Sequence, residues 1–158
     1  MTQEEFAARV DAQKNRLYRT ARLYLGDEAS ALEAVDEAVY QALRALKKLR
    51  HAEFFDTWLT RILINACKKE LRRLKRERPE EYLPEPTADF DYDALPLKQA
   101  VGRLPEELRQ VVALRYFGGY TQAETAAALD IPQGTVVTRQ RRALQLLRLD
   151  LTVEEGEV

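Results

Sequence analysis

The sequence has few of the residues that cross-link or interrupt a fold. Its 158 residues include one cysteine, one histidine, six glycines and six prolines. A single cysteine excludes an internal disulfide and argues against a cysteine-based metal site. No apolar run is long enough to cross a bilayer, and the N-terminal stretch MTQEEFAARVDAQ lacks the apolar core of a signal peptide. We therefore expect a cytoplasmic protein that carries no metal or other cofactor.

Catalytic patterns are missing as well. The chain has no glycine-rich phosphate loop, no cluster of metal ligands, and no nucleophile with a base beside it. These absences predict a protein that is not an enzyme and has no small-molecule substrate. The formal net charge is only −1, so a polyanionic partner would have to be met by local basic patches and not by the chain as a whole.

Most of the prolines fall in one segment. Residues 77–96, ERPEEYLPEPTADFDYDALP, contain four prolines, seven acidic residues and one basic residue. Prolines this close together cannot lie inside a helix, and a segment of this composition stays extended and solvated. We predict a flexible acidic linker at 77–96 between two domains at 1–76 and 97–152, with a tail at 153–158.

Apolar residues repeat at helical spacing on both sides of the linker, and no stretch alternates as a strand does. Helices are predicted at about 4–25, 29–50 and 54–78, and from Pro105, at the first helical position, to the glycine pair at 118–119. The fold class is therefore all-α, with two small helical domains. In the helix at 29–50 the predicted buried stripe consists of Leu32, Val35, Val39, Ala42, Leu43, Leu46 and Leu49.

The segment YTQAETAAALDIPQGTVVTRQRRALQLL, residues 120–147, has the pattern of a helix-turn-helix. Thr121 and Glu124 predict a capping box at the start of its first helix. IPQG breaks that helix, and Thr135 opens a basic second helix, where arginine can fork onto guanine or hold a phosphate. The predicted inward residues are Val136, Ala143, Leu144 and Leu147, and the predicted groove-facing residues are Thr135, Val137, Thr138, Arg139, Arg141 and Arg142.

The stretch LPEELRQVVALRYFGGYTQAETAAALDIPQGTVVTRQRRAL resembles region 4 of sigma factors of the RNA polymerase sigma-70 class, and the short extracytoplasmic-function (ECF) group in particular. The family uses this element to read the promoter −35 element. The resemblance implies DNA contacts from Thr121 and Gln122 in addition to the six groove-facing residues. Asp130 stands where the family usually has glycine, and Val137 stands where a basic residue often contacts DNA.

The first domain resembles region 2 of the same family. ALEAVDEAVYQALRALKKL, residues 31–49, is similar to the part that binds core RNA polymerase, which implies contacts from Glu33, Asp36, Glu37 and Gln41. FFDTWLTRILINACKKELRR, residues 54–73, is similar to the part that binds and melts the −10 element. This second similarity implies DNA contacts from Phe55, Trp58, Arg61, Asn65, Lys68, Lys69, Arg72 and Arg73, and the loop before it, which aligns with the family's base-capturing loop, adds His51.

Simpler explanations compete with several of these roles. Trp58 is more often a core residue than a platform for a base, packing explains Cys67, and His51 is expected to be an exposed loop residue. Residues 68–78, however, hold seven basic residues against two acidic ones. This is the densest positive run in the chain, and it is suited to the phosphates of a melted strand.

The resemblance as a whole implies a promoter-specificity subunit. Such a protein binds core RNA polymerase and promoter DNA, and an anti-sigma factor, often membrane-bound, commonly holds it inactive. The residues alone leave two other functions open. One is a stand-alone helix-turn-helix regulator that binds symmetric half-sites without polymerase, and the other is a degenerate sigma-like adaptor that binds only protein.

Overall fold

The computed structural model of the chain describes residues 1–77 and 95–156, with side chains at 1–77 and 99–148. Its seven α-helices are α1 Gln3–Leu25, α2 Glu28–Arg44, α3 Phe55–Glu77, α4 Leu95–Arg103, α5 Glu106–Val112, α6 Gln122–Leu129 and α7 Gln133–Gly156. Short 3-10 turns at Leu46–Lys48 and Ala52–Phe54 join α2 to α3, and a π-turn at Ala113–Phe117 continues α5. No strand occurs in these ranges, and the prediction of an all-α fold is confirmed.

The first half of the chain is a bundle of α1, α2 and α3. Thr2 caps α1 in a capping box with Glu5, and Gly26 ends the helix with a left-handed φ of 89°, which glycine adopts at little cost. Asp27 then caps α2 by accepting the N–H of Ser30. These signals turn the chain tightly, so that α2 runs back along α1 and packs against it.

Helix α2 buries alanines where the sequence pattern predicts leucines. Leu32 and Leu43 are 47% and 42% exposed, so their predicted burial is wrong. Small side chains allow a close approach of helices, and α2 is rotated to present them to α1 and α3. The helix also ends at Arg44, before the predicted boundary at 50. The apolar residues that α2 buries are Ala31, Ala34, Val35, Ala38 and Ala42.

In the second half, α4, α5 and α6 pack against α7. Pro105 lies just outside α5 as its N-cap and not at the predicted first helical position. The π-turn ends at Gly118, and Gly119 follows with a φ of 71°, so the glycine pair ends the helix as predicted. The predicted capping box is also confirmed, since Thr121 and Glu124 each accept the other's backbone N–H.

The turn between α6 and α7 depends on Asp130. Its φ of 56° is the only positive value at a non-glycine residue in the described ranges. Glycine adopts this conformation more easily than other residues do, which explains why the family usually has glycine at this position. Helix α7 begins at Gln133, two residues before the predicted Thr135. Three of the four residues predicted to face inward are buried, namely Val136, Ala143 and Leu147. Leu144 is 41% exposed, because it follows Ala143 and lies on the next side of the helix.

The predicted domain boundaries can be compared with the structure only in part. Most of the predicted linker at 77–96 falls on residues 78–94, which lie outside the described residues. Helix α4 begins at Leu95, so the last two predicted linker positions are helical. Helix α7 extends through Gly156 and therefore enters the stretch predicted as a tail at 153–158.

The two halves lie against each other. Helix α1 packs along the π-turn, and α3 packs along α6. Buried side chains from both halves form one continuous cluster, which runs from Phe6 in α1 to Leu147 in α7. Within residues 1–77 and 95–156, no helix combines the length and the apolar character that a membrane span needs.

The left-handed conformation of Asp130 makes opposite predictions for two substitutions. Asp130→Gly should stabilise the folded chain and Asp130→Ala should destabilise it, each by about 1 kcal/mol. Urea unfolding, monitored by circular dichroism, measures the free energy of unfolding of both variants. Asp130 also lies 3.6 Å from Arg61, so Arg61→Ala is the control for losing this exposed ion pair. Equal stabilities of the glycine and alanine variants would contradict the prediction.

Candidate nucleic-acid interface

The helix-turn-helix is fixed by a small core and by one arginine. Val136 at the start of α7 is fully buried against Val111 of α5 and Ala126 of α6. The guanidinium of Arg115 donates through Nε to the side-chain oxygen of Gln140 at 3.0 Å and through a terminal nitrogen to the carbonyl of Tyr120 at 2.6 Å. These contacts set the orientation of α7 relative to the start of α6.

The six predicted groove-facing residues of α7 lie on the part of the helix surface that is not buried together with Val136 and Ala143. Thr138, Arg141 and Arg142 are exposed, and Thr135, Val137 and Arg139 are half-buried. Thr138 donates its hydroxyl to the carbonyl of Gly134 at 3.0 Å. Arg139 lies 3.8 Å from the carboxylate of Glu107 on α5. The exposed cations of this surface, which we call the α7 face, are therefore Arg141 and Arg142.

Thr121 and Gln122 lie at the amino end of α6. The Thr121 hydroxyl accepts the Glu124 N–H at 3.0 Å, and the Glu124 carboxylate accepts the Thr121 N–H at 2.9 Å. This backbone hydrogen bond, with help from Arg16, lowers the pKa of Glu124 below its ordinary value of 4.5. The carboxylate therefore supports the start of α6 above about pH 4.5, and its contribution is lost as the pH falls through the lowered pKa. Gln122 is half-buried.

Five of the nine predicted −10 residues share one side of α3. Their spacing of three or four positions places them in line along the helix. Arg61, Asn65 and Arg72 are exposed, whereas Trp58 and Lys68 are half-buried. Arg61 already has partners in the second half of the chain, because its Nε donates to the carbonyl of Ala127 at 2.8 Å. We call this line the α3 stripe: Trp58, Arg61, Asn65, Lys68 and Arg72.

Lys69 and Arg73 lie on a different side of α3. They line a groove of about 570 Å³ between α2 and α3. Arg73 lies 2.7 Å from Glu77 and 3.6 Å from Glu33, and it also pairs with Glu70. The hydrogen bonds to Glu70 are the main reason that the pKa of Arg73 is raised. Arg73 thus serves the contact between α2 and α3 in this structure.

The remaining two predicted −10 residues, Phe55 and His51, have very different environments. Phe55 is fully buried, with its ring edge-on to Phe6 at 5.8 Å, so the structure gives it a packing role. Trp58 packs beside it with ring centroids 5.8 Å apart, in line with the expectation of a core residue, and Cys67 is buried by packing as predicted. His51 is 64% exposed in its side chain, as expected of a loop residue.

The sequence reasoning did not select Phe54 as a site residue. Phe54 is 59% exposed, and its ring lies edge-on to His51 with centroids 5.9 Å apart. Helix α3 begins at Phe55, so the two consecutive phenylalanines point in different directions, one to the core and one to solvent. The FF pair directly before a basic helix was the available signal. Together His51 and Phe54 form an exposed aromatic pair at the start of the α3 stripe.

The four residues predicted to contact core polymerase lie on the outer side of α2. Glu33, Asp36 and Glu37 are exposed, and Gln41 is half-buried and donates to the Glu37 carboxylate at 2.7 Å. The three acidic residues also line the groove that holds Lys69 and Arg73. The same helix exposes three large apolar residues that were not selected for this surface: Leu32, Tyr40 and Leu43. We call the seven residues together the α2 face.

Two family models match the two halves of the chain. The family described as "Sigma-70 region 2" matches residues 10–77, and the family described as "Sigma-70, region 4" matches residues 100–149. The first range contains α2, α3 and most of α1, and the second contains the helix-turn-helix. The order of the two matches is the one predicted from the sequence.

Two proteins that are named as RNA polymerase sigma factors match this chain over most of their length. The chain is 31% identical to RNA polymerase sigma factor SigV of Bacillus subtilis, over 90% of this chain and 88% of the relative. It is 35% identical to ECF RNA polymerase sigma factor SigM of Mycobacterium tuberculosis, over 81% of this chain and 67% of the relative.

Two solved structures have the same fold over nearly the whole chain. One is the sigma factor RpoE in complex with the anti-sigma factor NepR from Bartonella quintana, with a TM-score of 0.77, 20% identity, and coverage of 95% of this chain and 98% of that chain. The other is CnrH in complex with the cytosolic domain of CnrY, with a TM-score of 0.75, 23% identity, and coverage of 96% and 90%.

The two sides of α3 predict different results for neighbouring arginines. Arg73→Ala should lower the midpoint of thermal unfolding, because the Glu70 side chain, only 12% exposed, loses its partner. Arg72→Ala removes an exposed cation and should leave stability within about 0.5 kcal/mol of the parent, yet it should weaken binding of a forked DNA. Thermal unfolding and DNA titration on both variants test this separation. A loss of DNA binding from Arg73→Ala at unchanged stability would contradict it.

Proposed function

Since the chain belongs to the sigma-70 family of RNA polymerase sigma factors, in its extracytoplasmic-function group, we propose that its two halves read two separate elements of one promoter. The chain is a non-enzymatic initiation factor that binds core RNA polymerase and directs transcription from specific promoters. Beyond this, we propose a separate binding role for each of the three surfaces described above, the α7 face, the α3 stripe and the α2 face.

The α7 face is proposed to read the −35 element. The observation that carries this proposal is that α7 exposes two arginines and a threonine beside its buried Val136, at the end that follows the turn. A recognition helix contacts base edges with residues near its amino end. Arg141 and Arg142 are suited to guanine or phosphate, whereas Thr121 and Gln122 at the amino end of α6 are suited to the DNA backbone.

The α3 stripe is proposed to hold the melted −10 strand. Its cations, Arg61, Lys68 and Arg72, follow one line along the helix, and Asn65 lies between them. The aromatic pair of His51 and Phe54 stands at the start of this line and can stack on an unpaired base. Phe55, the next residue, is buried in the core beside Phe6 and Trp58. Lys69 and Arg73 are not part of this surface, since they line the groove between α2 and α3, where Arg73 pairs with Glu33 on α2.

The α2 face is proposed to dock on core polymerase. Carboxylates on a stiff helix are suited to a basic partner and steer its approach. Leu32, Tyr40 and Leu43 add apolar area that the chain itself leaves uncovered, and such area supplies most of the affinity at the centre of an interface.

An anti-sigma factor is proposed as a further partner, and the cytoplasm as the place of action. The relative with the same fold named above was solved with an anti-sigma factor, and regulation of this kind is suited to a chain that must be kept from polymerase until needed. Core polymerase and promoter DNA, the partners of a sigma factor, are found in the bacterial cytoplasm.

Run-off transcription separates the proposed function from its alternatives. Full-length chain is mixed with core RNA polymerase and a library of promoters. Initiation from a specific subset supports the sigma function. Binding to symmetric sites without polymerase would instead support a stand-alone regulator, and core binding without initiation would support an adaptor.

The α7 face predicts a gain of function at Val137, which is half-buried among the cations. Val137→Arg should strengthen binding of −35 DNA about tenfold or shift the preferred base, since one bidentate contact is worth about 1–3 kcal/mol. Competition among −35 sequences in transcription assays measures both effects. Ala12→Arg on exposed α1 adds the same charge elsewhere and is the control. Unchanged promoter choice and affinity would mean that α7 is not seated as proposed.

The α2 face predicts that Leu43→Ser weakens core binding about tenfold, the usual effect of removing an apolar side chain from a packed interface. Leu144→Ser on α7 removes a leucine of nearly the same exposure, 41% against 42%, and should have little effect. Both substitutions replace solvent-exposed side chains, so stability should change little. Titration of core polymerase with labelled chain measures the two affinities, and equal losses would count against this docking surface.

A further inference from the structure

We propose that Arg9 of α1 is a positioning residue for base capture in the −10 element, because it holds the turn that presents the aromatic pair of His51 and Phe54. The inference rests on the proposed function of that pair. It goes beyond that function because it gives a part in promoter recognition to α1, which contributes no residue to the α3 stripe, the α7 face or the α2 face.

The 3-10 turn at Ala52–Phe54 has little of its own to fix its shape. It buries none of its three side chains. The Phe54 N–H donates to the carbonyl of His51 at 3.0 Å, and the Phe55 N–H donates to the carbonyl of Ala52. Hydrogen bonds of a 3-10 turn have poorer geometry than those of an α-helix, and a segment that is not held in place loses conformational freedom when a base stacks on it. Support from outside the turn therefore favours base capture.

Arg9 supplies such support through a hydrogen bond. A terminal nitrogen of its guanidinium donates to the carbonyl of Ala52 at 2.8 Å. A carbonyl oxygen has two lone pairs, so it can accept this bond together with the one from the Phe55 N–H. A bond from a charged donor is stronger than one between neutral groups. The residues that it joins are 43 positions apart in the chain, and the bond fixes the turn to α1.

The same guanidinium contacts the first turn of α3. Its second terminal nitrogen lies 3.8 Å from the carboxylate of Asp56. The guanidinium carbon lies 4.8 Å from the centroid of the Phe55 ring, within the range of a cation–π contact. Arg9 therefore contacts Ala52 on one side of Phe54 and two residues on the other side.

One face of α1 provides this support as a unit. Positions 6, 9 and 13 are three and four residues apart and share a face of the helix. Phe6 lies edge-on to the Phe55 ring at 5.8 Å. Gln13 is buried and donates its side-chain amide to the Asp56 carboxylate at 2.6 Å. This face therefore serves the start of α3, and Arg9 is its member that bonds to the turn.

The contacts of Arg9 distinguish a positioning role from a direct contact with DNA. Its terminal nitrogens are directed at Ala52 and Asp56, and an N–H that is bonded to a carbonyl is not free to hold a phosphate. The contribution of Arg9 to DNA binding should therefore depend on the presence of the base that the aromatic pair stacks on. A phosphate contact would not depend on that base.

Forked DNA with an unpaired −10 strand tests this dependence. Holoenzyme is formed from core polymerase and full-length chain. Its affinity is measured for the intact fork and for forks in which each unpaired base in turn is replaced by an abasic site. The captured base is the one whose removal abolishes the effect of Phe54→Ala, which we expect to be about tenfold on the intact fork.

Arg9→Ala should weaken binding of the intact fork about fivefold, as expected for the loss of one hydrogen bond, and should match the parent on the fork that lacks the captured base. Arg9→Lys keeps the charge and one donor, so it should recover part of the affinity. Lys14→Ala removes another exposed cation of α1 and should match the parent on every fork. In the double variant, Arg9→Ala should add little to Phe54→Ala, because the ring that it positions is gone.

Amide hydrogen exchange of the free full-length chain reports on the turn directly. Arg9→Ala should speed exchange of the Phe54 and Phe55 N–H groups, whereas Lys14→Ala should not. Unchanged exchange, or an equal loss of affinity on the intact and the abasic fork, would overturn the positioning role. If exchange is faster but Phe54→Ala binds the intact fork as the parent does, the proposed function of the aromatic pair fails and the hold of Arg9 on the turn stands.

Discussion

The contact between the forked guanidinium of Arg16 and the carbonyls of Gly118 and Gly119 is the constraint on which the relation of the two halves depends. A π-turn ends at that point, and its carbonyls must find a donor outside the helix or be left to water. Helix α1 supplies the donor. Since α1 is also a core helix of the first half, the end of one half is tied to the body of the other.

Close packing in the first half has a consequence at the surface. Alanines on the inner side of α2 allow α1 and α3 to approach, and the leucines that would otherwise fill the core are left outside. The packing that makes the bundle compact thus leaves apolar area on an acidic helix. An isolated domain has no use for such a surface, whereas a subunit that works on a polymerase can bury it in the complex.

Features that depend on neighbouring residues could be predicted from the sequence. The capping box of Thr121 and Glu124, the glycine turn after α5 and the all-α fold belong to this group. The rotation of a helix about its axis could not be predicted from the sequence. A shift of one position turns a side chain by about 100°, and residues distant in the chain decide which side is buried. The pattern misplaces Leu32, Leu43 and Leu144 for this reason. The contact of Arg16 with Gly118 joins residues far apart in the chain, and no local sequence pattern predicts it.

The environments of individual arginines explain how a chain of net charge −1 can bind DNA. Arg72 faces solvent, its neighbour Arg73 is held by three carboxylates, and Arg61 is held by the other half of the molecule. Counting basic residues therefore overstates the charge that a phosphate can reach. In the proposed function each DNA surface is left with only a few cations, and neither would bind tightly alone. Two weak surfaces become effective when they are held at the separation of their two sites. In the proposed function, core polymerase holds the two surfaces at that separation.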